Sequence, residues 1–373
     1  MSKLVFPDYS HCLLNITSSI LKNYNVNLGY KSLDSLDFVL QKKYKNIVFY
    51  LVDAMGTEIL KKHNDKTSFL LSKLEDSLTT VFPSTTVAAT TTAITGLPPV
   101  ATAWIGWQQY VAEENKNIVF FLNQDYYDET FKFTYNVSEK YLPVKKIYEL
   151  INEENKNVVT HEIFPEFRVP KHKKIKDQVD TVLETIKNNE NNFIYAYWDK
   201  LDTYLHEYGT TSKIVNDHIS EINNAMKYLF DNIDEETLVV ITADHGQVDV
   251  EGINLYEYLD IVGMLEHKPA VEGRATAFYL KSGMNEEFEE SFNKYFKDKF
   301  LLYKSEDVLR MNLFGEGNIN SKLKDFIGDY FAIAIDKYHF VFQDSGHKHK
   351  ATHAGLLKDE MMIPLILLKK SSL

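Results

Sequence analysis

Residues 46–53 read NIVFYLVD, an apolar run that ends on Asp53. Two later stretches have the same form: FIYAYWDKLD at residues 193–202 leads into a pair of aspartates, and TLVVITADHG at residues 237–246 leads into an Asp-His pair. Short apolar runs of this kind are typical of strands buried on both faces of a parallel sheet. Ligands of open α/β sheets bind beyond the carboxyl ends of the strands, so we expect the polar ends of these strands to meet at one edge.

Around these stretches, short apolar runs alternate with helical patterns. This predicts an α/β fold with a doubly wound, mostly parallel sheet and helices on both faces. The core strands are predicted at residues 46–52, 117–122, 158–160, 193–198, 238–242 and 363–368. The helices are predicted at residues 57–75, 144–152, 176–188, 213–230 and 286–299. The alternation weakens at about residues 247–350, so we expect a single domain over residues 1–373 that carries a smaller inserted cap region there.

The composition describes an acidic globular protein. Of its 373 residues 44% are hydrophobic and 25% charged, and 41 Lys and Arg against 53 Asp and Glu leave a net charge of −12. This excludes disordered tails, collagen-like fibres and disulfide scaffolds, and we expect no binding to nucleic-acid polymers. With neither a secretion signal nor a long apolar segment, a cytoplasmic protein without membrane insertion is expected. Cys12 stands alone, which excludes a cysteine-rich zinc site, and the oligomeric state stays open.

Histidines lie close to the strand-end aspartates. His206 follows Asp202 by four residues, which places both on one face of a helix, and His245 directly follows Asp244. His353 stands just before the last predicted strand. The candidate metal ligands are Asp53, Asp202, His206, Asp244, His245 and His353. This mixture of nitrogen and oxygen donors suits two transition-metal ions with open positions for substrate, zinc first, with manganese or iron as alternatives.

A candidate nucleophile comes from residues 79–96, TTVFPSTTVAATTTAITG. A short strand is predicted to end near Pro83 and a helix of small residues to begin near Thr85 or Thr86, which places a hydroxyl group at a helix N-terminus. Backbone N–H groups there favour an alkoxide and a phosphate oxygen, and coordination to a metal activates a Thr hydroxyl. The competing interpretation is that these Thr residues only cap and pack the helix.

Other polar and aromatic residues also have competing interpretations. Arg274 in EGRATAFYL suits a phosphate or carboxylate, but a structural ion pair explains it equally well. Trp104, Trp107 and Tyr110 form either an aromatic wall of the substrate cleft or part of the core, and core packing is the default. His347 and His349 lie in SGHKHKATHAG, where we expect a solvated loop because the interleaved Lys residues repel a cation.

These motifs, in this order, resemble the type I phosphodiesterase/nucleotide pyrophosphatase family of the alkaline phosphatase superfamily. LVDAMG is similar to that family's first metal-binding Asp, FPSTT to its nucleophile loop and DTYLHEYG to its D-x-x-x-H-x-x-G element. ADHG is similar to its Asp-His pair, and HAGLLKDEMMIPLIL to its C-terminal metal-binding His with the strand that follows. The resemblance covers residues 45–368, and its specificity comes from the order of five short motifs.

The resemblance implies an alkaline phosphatase-like fold and a hydrolase with two zinc ions. One ion would bind to Asp202, His206 and His353, and the other to Asp53, Asp244 and His245, with Thr86 as the metal-bound nucleophile. The implied reaction is cleavage of a phosphodiester or phosphoanhydride bond in a small phosphate ester or nucleotide. It would pass through a covalent phospho-threonine intermediate.

One departure from the family affects the expected substrate. The family commonly carries an Asn downstream of the nucleophile that donates to a phosphate oxygen, and here Trp107 stands near that position. Gln108 or Gln109 could take its place, so the candidate substrate contacts are Trp107, Gln108 and Arg274. A phosphomonoesterase or phosphonate hydrolase of the same superfamily is the alternative function, and a non-catalytic protein that binds metal or nucleotide is a weaker one. The Cys/Ser-x-Pro-x-Arg signature of sulfatases is absent, which argues against sulfate esters.

Overall fold

The computed structural model of the chain describes residues 4–188, 190–342 and 349–370. Strands are distributed along this whole length and fall into one large and several small sheets. In chain order they are β1 (Asn46–Val52), β2 (Leu74–Thr79), β3 (Gln109–Val111), β4 (Lys116–Val119), β5 (Gln124–Asp125), β6 (Val158–Ile163), β7 (Asn191–Trp198), β8 (Thr237–Thr242), β9 (Val248–Asp249), β10 (Glu251–Asn254), β11 (Leu265–Val271), β12 (Ala275–Leu280), β13 (Phe300–Lys304), β14 (Tyr330–Ala334), β15 (Tyr338–Val341), β16 (Ala351–Thr352) and β17 (Met362–Leu368).

The helices are mostly short, and a single 3-10 turn lies at Leu255–Glu257 among the described residues. In chain order the α-helices are α1 (Leu13–Asn23), α2 (Asp34–Leu40), α3 (Thr57–Lys62), α4 (Ser68–Ser72), α5 (Thr86–Thr95), α6 (Pro99–Thr102), α7 (Val137–Tyr141), α8 (Ile147–Glu154), α9 (Ile175–Thr185), α10 (Lys200–Tyr208), α11 (Lys213–Asn232), α12 (Leu259–Gly263), α13 (Asn285–Phe296), α14 (Ser305–Arg310), α15 (Leu323–Ile327) and α16 (Lys358–Met361). None of the helices that the structure describes has both the length and the apolar character needed to cross a membrane.

A six-stranded sheet forms the centre of the fold, in the order β2-β17-β8-β1-β7-β6. Strands β8, β1, β7 and β6 are parallel, and β17 runs antiparallel to both β8 and β2. Every residue of β1 is buried, as expected for a strand in the middle of a sheet that is flanked by helices. The predicted α/β fold with a mostly parallel sheet is confirmed, and the last strand belongs to this sheet.

The register of the three middle strands brings their carboxyl ends level. Leu51 of β1 lies opposite Thr242 of β8, and Val52 of β1 lies opposite Trp198 of β7. The residues that follow these strands therefore leave the sheet at the same edge. This is the edge at which the sequence predicts the polar side chains to meet.

The predicted strand at residues 117–122 does not join the central sheet. Its place is taken by β4, which pairs antiparallel with β3 and β5 in a separate small sheet. Asn115 and Asn123 flank this strand with φ values of 51° and 57°. Asn tolerates this left-handed conformation, which turns the chain back on both sides of the strand.

The predicted helix at residues 57–75 is broken into α3 and α4, and β2 begins at Leu74. The break lies between His63 and Thr67. The Thr67 hydroxyl donates to the backbone carbonyl oxygens of Leu60 at 2.8 Å and of His63 at 3.1 Å. A Thr side chain that bonds to nearby backbone in this way competes with the regular helical hydrogen bonds.

The region between β9 and β16 carries a second sheet. Strands β11, β12, β14 and β13 form it in that order, all antiparallel. β9 pairs antiparallel with β16 where this region leaves and rejoins the rest of the fold. Trp104 and Ile118, which precede it in the chain, share a hydrophobic cluster with Ala270 and Phe331 of this region. The segment after α5 thus packs with the inserted region, which the sequence does not predict.

Arg274 joins the inserted region to the chain just before β17. Its guanidinium group donates to the two carboxylate oxygens of Glu360 at 2.7 and 2.6 Å and to the carbonyl oxygens of Asp336 and Tyr338. Neither Arg274 nor Glu360 is exposed to solvent. Of the two interpretations of Arg274, the structure therefore supports the structural ion pair and not the contact with substrate.

Removing one partner of this pair is expected to destabilise the protein. In Arg274→Met the Glu360 carboxylate stays buried without its cation, so we expect the free energy of unfolding to fall by about 3–5 kcal/mol. Urea denaturation followed by circular dichroism measures the change. The control is Lys213→Ala, which breaks an exposed pair with Asp217 and should leave stability nearly unchanged. Equal and small effects of the two substitutions would contradict the prediction.

Candidate active site

The first group of polar side chains lies at the ends of β1 and β8. Asp53 follows β1, and Asp244 and His245 come after β8. Each offers one possible metal-binding atom, and these atoms lie within 4.8 Å of one another. The Nε2 atom of His245 lies 3.5 Å from Asp53 Oδ1 and 3.6 Å from Asp244 Oδ2. All three side chains are buried.

Asp202, His206 and His353 form the second group, again with candidate ligand atoms within 4.8 Å of one another. Asp202 and His206 lie one turn apart on α10, and His353 directly follows β16. Asp202 Oδ2 lies 3.3 Å from His206 Nε2, and Asp202 Oδ1 lies 3.8 Å from His353 Nε2. The rings of His245 and His353 stack with their centroids 3.9 Å apart, so the two groups adjoin. The structure therefore brings together all six candidate metal ligands.

The backbone orients the three histidine rings of the two groups. In each ring Nδ1 lies 2.8 to 3.1 Å from a backbone carbonyl oxygen. The pairs are His206 with Ala351, His245 with Gly246 and His353 with Ser84. Because Nδ1 donates to a carbonyl oxygen, Nε2 keeps its lone pair and faces the aspartates. This is the tautomer and the orientation in which an imidazole binds a metal ion.

The carboxylates of the site fit a divalent cation. Asp53 Oδ1 and Asp244 Oδ2 are buried and accept no hydrogen bond from the residues that the structure describes. Burial, and next to it the charges of Asp244 and Asp202, raise the pKa of Asp53 well above its ordinary value, and burial also raises the pKa of Asp244. Like charges buried together are unfavourable unless a cation lies between them. Metal ions would bind to these unpartnered oxygens and to the histidine Nε2 atoms.

Thr86 is the first residue of α5 and lies beside the first group. Its Oγ1 atom is 3.1 Å from Nε2 of His245. Thr85, at the N-cap position, has extended backbone, and the small residues Ala88 and Ala89 let the helix sit deep in the fold. The first N–H groups of a helix have no acceptor within the helix, so this position suits an anion or an alkoxide.

Two glycines let the loops that carry the ligands approach each other. A Cβ atom on Gly246 would lie 2.0 Å from the carbonyl oxygen of Asp359, and one on Gly56 would lie 2.6 Å from Cα of Gly246. The close approach also allows the N–H of Ala54 to donate to Asp244 Oδ1 at 3.0 Å. The glycines of LVDAMG and ADHG are therefore explained by backbone contact and not by metal binding itself.

A cleft of about 1040 Å³ opens onto the second group and onto Thr86. Thr86, Asp202, His206 and His353 line it together with several aromatic side chains. Of the three candidate substrate contacts only Trp107 is among the described residues that line this cleft, and its side chain is 38% exposed. Further aromatic residues that line the cleft are Tyr126, Tyr258, Phe340 and Phe342.

The other expected substrate contacts lie elsewhere. Gln108 is buried, and its Oε1 accepts a hydrogen bond of 2.8 Å from the side-chain amide of Asn117. Gln109 is also buried, and its side chain bonds to the backbone of Ala103 and Ile105. Arg274 is held by Glu360, as described above. Neither glutamine therefore takes the place of the family's Asn, because each has a structural partner instead.

Three residues of the site were not singled out from the sequence. The Tyr197 hydroxyl donates to Asp53 Oδ2, the side-chain amide of Gln247 donates to Asp202 Oδ1, and Glu272 lines the cleft. Gln247 directly follows ADHG, and this position next to the candidate ligands in the sequence was a usable signal. Tyr197 and Glu272 carry no such signal, since one lies inside a strand and the other in the inserted region.

Of the three histidines in the SGHKHKATHAG segment, His353 belongs to the second group, and the other two were expected in a solvated loop. His347 lies outside the described residues. His349, expected in a solvated loop, is exposed but also lines the cleft, with its ring centroid 4.6 Å from that of His206. The end of this segment therefore lies against the second group.

Comparison with known proteins identifies the family to which this site belongs. The sequence profile of the type I phosphodiesterase/nucleotide pyrophosphatase family matches residues 47–356. The chain belongs to this family. This is a family of phosphodiesterases and pyrophosphatases, and both Asp/His groups lie within the matched residues.

Individual relatives extend this comparison. Human ectonucleotide pyrophosphatase/phosphodiesterase family member 5 is 27% identical over 164 residues, which span 41% of this chain and only 33% of the relative. Murine ectonucleotide pyrophosphatase/phosphodiesterase 5, solved as an inactive variant in complex with AMP, has 17% identity and a TM-score of 0.64 over 86% of this chain and 87% of that chain. Phosphonoacetate hydrolase from Sinorhizobium meliloti 1021, in complex with phosphonoformate, has 14% identity and a TM-score of 0.64 over 88% and 91%. The solved structures share the fold of this phosphodiesterase family member.

Asp53→Asn is expected to stabilise the metal-free protein while it weakens metal binding. The pKa of Asp53 is higher in the folded than in the unfolded chain. The ionised side chain therefore lowers stability at neutral pH, and this loss disappears when the pH falls below the pKa of the unfolded chain. Asn carries no charge at any pH, so we expect a gain of about 1–3 kcal/mol near neutral pH and none at about pH 3.

Thermal unfolding of the chelator-treated protein measures this effect, and elemental analysis measures the metal that the variant retains. The control is Asp231→Asn, which changes an exposed aspartate paired with Lys227 and should alter neither quantity. A variant that is less stable without metal and still binds its full complement would refute the assignment of Asp53 as a ligand.

Proposed function

We propose that this enzyme hydrolyses phosphodiester or phosphoanhydride bonds of small phosphate esters, nucleotides above all, through a phospho-threonine intermediate in a two-zinc site. The observation that carries the proposal is the position of Thr86. It opens α5 in the cleft that the second Asp/His group lines, and its Oγ1 atom lies 3.1 Å from Nε2 of His245 in the first group. A nucleophile at a helix N-terminus beside two adjoining groups of candidate metal ligands provides the components of metal-assisted phosphoryl transfer.

The two ligand groups divide the candidate residues between two divalent ions. One ion would be held by Asp202, His206 and His353, and the other by Asp53, Asp244, His245 and the Thr86 oxygen. The mixed nitrogen and oxygen donors support zinc, with manganese or iron as alternatives. When bound, the ions would supply positive charge to the phosphoryl group and lower the pKa of hydroxyl groups that coordinate them.

Thr86 provides the attacking oxygen. Its hydroxyl group gives up its proton to solvent, Oγ1 forms a bond to phosphorus, and the bond from phosphorus to the leaving oxygen breaks. The phosphoryl group is then esterified to Thr86. In the second step a water molecule attacks phosphorus, the bond to Oγ1 breaks, and Thr86 regains a proton. Two in-line displacements leave the configuration at phosphorus unchanged.

The aromatic part of the cleft supports a nucleotide substrate. Trp107, Tyr126 and Tyr258 line the cleft beyond the Asp/His groups. Such rings offer flat apolar faces on which a nucleobase stacks. The murine relative that shares the fold was solved in complex with AMP, which agrees with this choice.

A second candidate function is hydrolysis of phosphomonoesters or phosphonates by the same groups. Trp107 stands where the family commonly carries its phosphate-binding Asn, and neither Gln108 nor Gln109 is among the described residues that line the cleft. The fold is also shared by the phosphonoacetate hydrolase from Sinorhizobium meliloti. These substrates differ in the charge of the phosphorus group and in the leaving group, so rates of hydrolysis of matched esters distinguish the two candidate functions.

Thr86→Ala is expected to remove most turnover and to leave the metal content nearly unchanged. The substitution deletes the nucleophile but none of the six Asp and His ligands. In the zinc-loaded protein we expect bis-p-nitrophenyl phosphate to be cleaved faster than p-nitrophenyl phosphate, and the variant to lose activity by on the order of a thousandfold. The matched control is Thr95→Ala, which removes a hydroxyl group at the opposite end of α5 and should keep the native rate.

Near-native rates in the Thr86→Ala variant would exclude Thr86 as the nucleophile. Faster cleavage of the monoester by the unaltered protein would favour the second candidate. A protein that binds zinc and AMP but cleaves neither ester would be the non-catalytic alternative.

A further inference from the structure

Glu272 is an acidic side chain inside the cleft that the proposed reaction does not use. It directly follows β11 and lines the cleft together with Thr86 and Trp107. Its Oε1 atom accepts two hydrogen bonds of 2.7 Å, one from the Thr85 hydroxyl and one from the backbone N–H of Trp107. Because Thr85 immediately precedes the proposed nucleophile, this carboxylate is fixed next to the point of attack.

The backbone that carries Glu272 is held in an unusual conformation. Val271 has a φ of 80°, which a β-branched residue rarely adopts, and its N–H donates to the carbonyl oxygen of Gln108 at 2.7 Å. Gly106 packs so closely against it that a Cβ atom there would lie 2.5 Å from Cγ1 of Val271. Such sparsely populated conformations cluster at ligand-binding sites. Here the conformation directs the chain so that Glu272 meets the backbone of Trp107.

The groups around Glu272 determine its pKa and the balance of charge in the cleft. Burial raises the pKa of Glu272 to about 7, and the hydrogen bonds from Thr85 and Trp107 together with the charges of His206 and His245 oppose this rise. His206 and His245 come from different Asp/His groups, so Glu272 lies within electrostatic reach of both. Lys350 is the one Lys or Arg side chain among the described residues that line the cleft. Little cationic side-chain charge is therefore available to balance a second anion there.

We propose that Glu272 is a specificity-determining residue that disfavours phosphomonoester dianions and thereby favours diesters, an inference that rests on the proposed function. At about pH 8 and above, where most Glu272 side chains are ionised, a monoester carries one more negative charge than a diester. A fixed carboxylate beside the nucleophile repels that additional charge. The carboxylate also accepts hydrogen bonds from the Thr85 hydroxyl and the Trp107 N–H. Without it, these two donors would be free to bind a phosphate oxygen. The competing explanation is that Glu272 only holds the Trp107 loop to the start of α5.

Glu272→Gln separates the charge from this structural role. The Gln side chain keeps an acceptor oxygen for Thr85 and Trp107 but carries no charge. In the zinc-loaded full chain, we expect the ratio of kcat/KM for p-nitrophenyl phosphate to that for bis-p-nitrophenyl phosphate to rise about tenfold. Thr85→Val is the matched control, since it removes one hydrogen bond to the same carboxylate and keeps the charge. It should leave the ratio unchanged.

Binding of AMP gives a second measurement that needs no turnover. AMP is a phosphomonoester, and calorimetry can compare its Kd for the zinc-loaded Thr86→Ala variant with its Kd for Thr86→Ala combined with Glu272→Gln. We expect the second Kd to be lower by about tenfold. Thermal unfolding of each variant verifies that the fold is kept.

An unchanged ester ratio or an unchanged Kd for AMP would overturn the inference, and so would an equal shift of the ratio in Thr85→Val. If the unaltered chain cleaves neither ester, the proposed function fails by itself, and the AMP comparison then decides the role of Glu272 alone. If the unaltered chain cleaves the diester and Glu272→Gln leaves the ratio unchanged, the proposed function stands, but Glu272 does not discriminate between monoesters and diesters.

Discussion

Repulsion among buried carboxylates is the constraint on which the rest of this structure depends. Asp53 and Asp244 are buried together where β1 and β8 end, with the partly exposed Asp202 of α10 nearby, and one oxygen of each buried carboxylate has no hydrogen-bond partner in the part of the chain that the structure describes. Such a cluster is unfavourable in an otherwise apolar fold. The histidine rings, held by backbone carbonyls, and the glycine contact between two loops fix the geometry in which bound cations relieve this repulsion. A substitution that removes one of these buried charges is therefore expected to stabilise the metal-free protein and to weaken its binding of metal.

The central sheet and the inserted region contribute different parts of the site. Five of the six candidate ligands follow strands of the central sheet or lie on α10, and buried hydrogen bonds position them. The inserted region supplies cleft residues such as Glu272, Tyr258 and Phe340. Substrate preference can thus vary with the inserted region while the reacting groups stay in place. The link at Arg274 and Glu360 keeps the two parts in a fixed relation.

The sequence predicted the fold and the convergence of the ligands because both depend on local patterns. Apolar runs that end on Asp53 and Asp244 mark strands and their carboxyl ends at once. The sequence left the roles of Arg274 and Gln108 open because their partners, Glu360 and Asn117, are chosen by tertiary packing. Strand β4 was assigned to the wrong sheet because an apolar run does not specify its neighbour. Glu272 was missed because its place beside Thr85 depends on a contact between segments far apart in sequence.

The short pairing of β9 with β16 has an evolutionary consequence. The chain enters the inserted region a few residues after His245 and returns immediately before His353. The two-residue strands β9 and β16 pair at these two crossings and hold them side by side. The stretch between them can change in length and sequence without moving either crossing, as long as it keeps its contacts with Trp104, Ile118 and Glu360. A lineage with this architecture can therefore acquire new substrates through changes in one contiguous stretch of its gene that keep those contacts, while the part of the protein that carries out the reaction is inherited unaltered.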